Sequence, residues 1–132
     1  MTMSCVRIEG RKLEWWTAAA PRILILRRTG KLDEIAARGT PLGATAALVL
    51  GRAEEEVLPG DRVLLFTDGV PDLKTRNDTK LGVRRFGELF TATRNTAAPD
   101  ALPALVRELD EARAATPQDD DMTLLMMEIR EP

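Results

Sequence analysis

The chain has 132 residues, 19 Lys or Arg against 21 Asp or Glu, which suits one domain with a single core and leaves no basic field to attract nucleic acid. It holds no histidine and one cysteine, Cys5, which excludes histidine triads, histidine–metal sites, structural zinc and an intrachain disulfide. No apolar run approaches the ~20 residues of a membrane span and no signal-peptide pattern opens the chain, so a reducing, cytoplasmic setting is expected.

Thr2 to Glu9 alternates in character and is rich in strand formers, with Gly10 at a turn and Lys12 to Ala18 as the returning arm of a hairpin. Trp15 and Trp16 cannot both point inward on a strand, so one packs in the core and the other marks an interface. Cys5 reads as a small buried hydrophobe. Arg22 to Arg28 is a further strand centred on Ile23-Leu24-Ile25-Leu26, and Leu32 to Ala36 pairs back across the turn Thr29-Gly30-Lys31. Arg22, Arg27, Arg28 and Lys31 form a small basic cluster, read more simply as a solvated strand face than as a phosphoprotein contact.

After the corner Thr40-Pro41-Leu42-Gly43, Ala44 to Leu50 is short and apolar, and Glu54-Glu55-Glu56 is a solvated edge before the turn Leu58-Pro59-Gly60-Asp61. Arg62 to Thr67 is a buried strand that delivers Asp68 at its end. Phe86, Leu89 and Phe90 predict an amphipathic helix from about Val83. Leu102, Leu105, Val106 and Leu109 predict a second, with Pro99 and Pro103 confined to its start. Met122 to Ile129 closes the chain as a strand. Many strands, two helices and one strand make an α+β domain with a largely antiparallel sheet.

Two acidic motifs stand where strands meet loops: Thr67-Asp68-Gly69-Val70, and Gln118-Asp119-Asp120-Asp121-Met122-Thr123. Carboxylates without histidine or cysteine around them suit hard cations such as magnesium or manganese. Taken alone, Asp-Gly after a strand is a common turn and an aspartate run is a solvated loop. Three adjacent carboxylates repel one another, however, and call for a positively charged partner. An unrelated cation-binding module built on Asp68 and Asp119–Asp121 is one reading of the pair.

The run Leu58-Pro59-Gly60-Asp61-Arg62-Val63-Leu64-Leu65-Phe66-Thr67-Asp68-Gly69-Val70, two helices, then Gln118 to Leu124 closely resembles the PPM superfamily. These are the metal-dependent phosphatases related to protein phosphatase 2C, and the bacterial branch named for sporulation stage II protein E fits best. The Thr40-Pro41-Leu42-Gly43 corner is similar to that branch's Pro-Leu-Gly turn. The resemblance implies a PPM-type β-sandwich flanked by helices, with residues 1–132 as the C-terminal portion of the domain and the first metal-binding strands missing. It also implies a two-metal site for Mn²⁺ or Mg²⁺ that hydrolyses phosphoserine or phosphothreonine through activated water.

Carried over residue by residue, the resemblance makes Asp68 and Asp120 direct metal ligands. Gly69 would admit the backbone close to an ion, and Asp119 and Asp121 would support from outside. Asp72 stands where relatives carry an acidic residue, with loop or helix capping as its plainer role. The expected partner is a phosphoprotein, typically an anti-sigma-factor antagonist, with no nucleic acid or membrane partner. Two departures stand out. The family's first metal-binding aspartate and a later Asp-Gly pair have no counterpart in this chain, and Ala18-Ala19-Ala20-Pro21 replaces the family's Ala-Gly-His-Pro. They point to the alternative of a catalytically inactive interaction module, whose exposed sheet edge invites pairing with another chain, a homodimer included.

Overall fold

The predicted hairpin forms from β1 (Met3–Glu9) and β2 (Lys12–Ala18), in a computed structural model that describes residues 1–113, 115 and 117–132. Gly10 turns it at φ +59°, in the left-handed region that glycine enters at little cost. Next come β3 (Ile23–Leu26), β4 (Leu32–Ile35), β5 (Gly51–Glu56) and β6 (Arg62–Phe66). Then follow α1 (Gly82–Ala92), a 3-10 turn (Thr93–Asn95), α2 (Ala98–Arg113) and β7 (Leu124–Glu128). The strands make two sheets, β1-β2-β5 and β4-β3-β6-β7, and every ladder is antiparallel. The α+β expectation holds.

β3 and β6 are buried on both faces, which is why they read as unbroken apolar runs. Ile23, Ile25 and Val63 turn toward the three-stranded sheet, where Leu13, Trp15 and Val57 meet them. Leu24, Leu26, Leu64 and Phe66 turn the other way, onto Phe86, Phe90, Leu105 and Leu109 of the helices. Phe66 meets Phe86 edge to face at 4.9 Å, pinning α1 against the end of β6 one residue before Thr67. Each such side chain contributes roughly 1.5–3 kcal/mol by burial. The four-stranded sheet is thus the central layer, with a sheet on one side and helices on the other.

The outer face of the three-stranded sheet carries no helix among the described residues, and that overturns one expectation. Cys5 is exposed, not buried, because it sits across from Trp16 on that uncovered face. Trp15 is the core tryptophan, with its indole N–H donating to Ser4 Oγ at 2.7 Å, while Trp16 lies half-buried under the Arg52 guanidinium at 5.7 Å. Lys12 (3.2 Å) and Arg52 (2.7 Å) bridge Glu14 on the same face.

Other differences are local. Gly51–Glu56 is a full strand, whereas apolar Ala44 to Leu50 forms none and leaves Leu48, Val49 and Leu50 exposed. Pro103 lies inside α2 instead of at its start, with its ring on the solvent side, where it clashes least with the packed face. Val106 is exposed, since Ala101, Leu105 and Leu109 make the stripe that packs. The basic cluster is mostly paired: Arg22 with Glu34 at 2.7 Å, Lys31 with Asp33 at 2.8 Å. Arg27 is not a solvated side chain; it bonds Asp33, Glu55 and Asp61.

Candidate metal centre

The two acidic motifs, 50 residues apart from Asp68 to Gln118, meet at one end of the β6–β7 pair. The ladder ends at Phe66↔Leu124, and one backbone bond and the Thr67 side chain carry the pairing one step further. Thr67 N–H donates to the Thr123 carbonyl at 3.2 Å, and Thr123 N–H donates to Thr67 Oγ1 at 2.9 Å. The Thr67 hydroxyl in turn donates to the Asp121 carbonyl at 3.3 Å. A hydroxyl is needed there because it serves as both donor and acceptor.

Gly69 completes the junction. A Cβ on this residue would stand 3.0 Å from the Asp121 carbonyl carbon, closer still to its oxygen, and 3.3 Å from Met122 Cγ. Beyond it the chain winds tightly, with Val70 N–H to Thr67 O at 3.1 Å and Asp72 N–H to Asp68 O at 3.1 Å. Asp68 is exposed at the mouth of this turn.

The second loop is organised by its own polar groups. Asp120 Oδ1 accepts the Asp121 N–H at 2.8 Å, and the Gln118 amide donates to the Asp120 carbonyl at 2.7 Å. Asp119 has the positive partner that its crowded neighbours demand: Lys74 Nζ at 3.2 Å, a contact that holds the lysine more firmly protonated than usual. Asp72 does not cap a helix; its carboxylate pairs with Lys80 at 2.8 Å, and α1 starts without a side-chain cap. A pocket of about 210 Å³ lies here, walled by Gly69, Asp72, Lys74, Lys80, Asp119 and Asp120 among others. Asp68, Asp120 and Asp121 have no cationic partner among the described residues.

The donor chemistry fits a hard divalent ion, being all carboxylate and carbonyl oxygen. The donor number falls short: among the described residues no three His, Cys, Asp or Glu side chains converge in a way that could hold a metal ion. The sequence reading missed two residues that build the other end of the same strand. Asp61, 2% exposed, accepts from the Leu58 and Arg28 amides at 3.0 Å each. Arg62 reaches Glu128 and the carbonyls of Thr93 and Thr96. A Pro-Gly-Asp turn directly before an apolar strand was the available signal for the first; nothing local marked the second.

Solved structures with this arrangement of sheets and helices are phosphatase domains of the protein phosphatase 2C type. The SiaA-PP2C domain of Pseudomonas aeruginosa superposes with a TM-score of 0.79 at 23% identity, over 90% of this chain and 47% of that one. The phosphatase domain of the cell-fate determinant SpoIIE from Bacillus subtilis, presoaked with manganese, gives 0.74 at 13% identity, over 100% and 57%. The serine/threonine phosphatase PstP/Ppp of Mycobacterium tuberculosis gives 0.66 at 18% identity, over 98% and 60%. A comparison with curated proteins finds no match. The profile of the stage II sporulation protein E family matches residues 1–130, and the chain belongs to that family. It spans about half the length of the solved domains that it matches. Membership removes the reading as an unrelated cation-binding module. No helix among the described residues is long and apolar enough to cross a membrane.

Proposed function

We propose that residues 1–132 form the C-terminal portion of a metal-dependent serine/threonine phosphoprotein phosphatase domain. In this reading Asp68 and Asp120 face the metals, and Asp119 and Asp121 stand behind them. One observation carries it: the Thr67-Asp68-Gly69 turn and the Asp119–Asp121 loop are tied together at one rim by the Thr67 hydroxyl and by the close approach of Gly69 to the Asp121 backbone. Bound Mn²⁺ or Mg²⁺ would supply charge neutralisation and activated water for attack at phosphorus. This chain's own part is to hold carboxylates at fixed spacing: Thr67 and Gly69 lock the two loops, and the Asp121 amide orients Asp120. Because fewer than three ligands converge among the described residues, a complete centre needs acidic groups beyond these. The substrate class is a phosphoserine or phosphothreonine protein, such as an anti-sigma-factor antagonist.

A second reading, an inactive interaction or dimerisation module, draws on the short ligand set and on Ala18-Ala19-Ala20. The test is manganese titration of the 132-residue chain followed by amide NMR, with hydrolysis of a chromogenic phosphate ester alongside. Paramagnetic broadening centred on residues 68–70 and 119–123, lost in Asp68→Asn, is the expected result. Absence of selective broadening up to about 10 mM metal, a range that covers even weak carboxylate sites, would overturn the metal role.

A further inference from the structure

The end of the four-stranded sheet opposite the acidic rim carries a cavity of about 240 Å³. Its wall includes Arg27, Arg28, Arg62, Arg94, Gly60 and Asn95, and no carboxylate. Arg62 opens β6 and Asp68 follows it, so the two ends stand roughly 20 Å apart at ~3.3 Å per strand residue. A single phosphoryl group cannot touch both.

The four arginines divide into two pairs. Arg27 and Arg62 are consumed by the fold. Arg27 bonds Asp33 at 2.7 Å, the Glu56 carbonyl at 2.6 Å, Glu55 at 3.1 Å and Asp61 at 3.2 Å. Arg62 spends its fork on Glu128 at 2.9 Å, Thr93 O at 2.9 Å and Thr96 O at 2.6 Å. Their bonds lock the end of β3 and the 3-10 turn, the two segments from which Arg28 and Arg94 project.

Arg28 and Arg94 are exposed, and neither pairs with a carboxylate among the described residues. Asp61 holds the Arg28 amide at 3.0 Å, and Arg94 Nη2 donates to the Arg28 carbonyl at 3.4 Å, so the second arginine is drawn across the first. Glycines make the space. A Cβ on Gly30 (φ +94°) would run into the Arg94 guanidinium, and one on Gly60 (φ +92°) would sit 3.2 Å from Arg28 Cβ. Buried polar bonds and two left-handed glycines thus hold Arg28 and Arg94 on the wall of one cavity, neither paired with a carboxylate among the described residues.

The geometry points to a second, anion-binding site between Arg28 and Arg94 that takes a phosphate-type oxyanion. A planar guanidinium offers two parallel N–H groups to two oxygens. A carboxylate satisfies one such fork, whereas a tetrahedral dianion has oxygens for two. The ligand is inorganic phosphate or a phosphate monoester, the latter including a phosphorylated side chain of a bound protein. Exposure makes the site weak and sensitive to salt.

The experiment follows arginine Nε–Hε signals of the 132-residue chain by NMR while inorganic phosphate, or a phosphoserine peptide, is added at low salt. Arg28 and Arg94 should shift saturably, and Arg28→Gln or Arg94→Gln should each weaken binding about fivefold or more. Arg107→Gln, on the exposed side of α2, should leave it unchanged. Arg94→Lys keeps the charge without the fork and should recover only part of the loss. Equal affinity for phosphate and peptide identifies the free ion as ligand, and peptide binding about tenfold tighter identifies a protein-borne phosphate. Loss of manganese binding at the rim leaves these results untouched. No saturable shift below about 20 mM phosphate, or equal affinity in both glutamine variants, would overturn the site.

Discussion

Gly69→Ala probes the junction on which the metal-facing rim depends. The added Cβ would meet the Asp121 carbonyl carbon at 3.0 Å and Met122 Cγ at 3.3 Å, with the carbonyl oxygen nearer still. The obstacle is mostly backbone, so relief requires the two loops to part by on the order of 1 Å to regain ordinary contact distance. Overpacking of this kind costs about 1–3 kcal/mol. Parting the loops also stretches the bond from the Thr67 hydroxyl to Asp121 O and the bond from Thr123 N–H to Thr67 Oγ1, at about 0.5–1.5 kcal/mol each. Together these give a loss of about 2–6 kcal/mol. Urea unfolding followed by the buried Trp15 should show the midpoint falling by roughly 1–3 M with the slope unchanged. Thr67→Val supplies the internal check. If Gly69→Ala already breaks the Thr67 bonds, the two substitutions are non-additive, with Thr67→Val costing less in the alanine background by about 0.5–1.5 kcal/mol. A midpoint shift below about 0.3 M, or strict additivity, would refute this account of how the motifs are joined.

Two further predictions concern stability. Ala19 holds φ +57°, in the left-handed region, at the position where the resemblance expects glycine. The strain is about 1–2 kcal/mol and glycine's extra unfolded-state freedom returns about 0.4–1, so Ala19→Gly should raise the unfolding free energy by about 0.5–1 kcal/mol; a lowered urea midpoint would contradict this. At Asp33, Lys31 first and Arg27 second hold the carboxyl below its ordinary range. Its folded-state pKa is therefore depressed, so its contribution is present above about pH 4, the unfolded value, and disappears as pH falls through the lower folded value. The stability gap between the natural chain and Asp33→Asn should be flat at neutral pH and close in acid; a gap constant from about pH 3 to 7 would rule the linkage out.

The most local features were the most legible. β2 runs from Lys12 to Ala18 as read, because Gly10 and the alternation that follows specify a hairpin with little outside help. Both helices appear because apolar spacing near 3.6 residues admits one packed face. β5 was not recognised as a strand, since Gly51-Arg52-Ala53-Glu54-Glu55-Glu56 has little strand propensity and is held by β2. Cys5 and Val106 were misread because their exposure depends on which layers cover them.

Sequence by itself determined the kind of elements, the family, and the two acidic motifs with hard-oxygen chemistry, because periodicity, turn residues and motif spacing are properties of short segments. Tertiary structure decided that Thr67 and Gly69 bind one motif to the other, that Lys74 and Lys80 neutralise Asp119 and Asp72, and that Arg27 and Arg62 are spent while Arg28 and Arg94 are not. These outcomes turn on which side chains, tens of residues apart in the chain, come within hydrogen-bond reach. Only the packing of the two sheets and helices sets that.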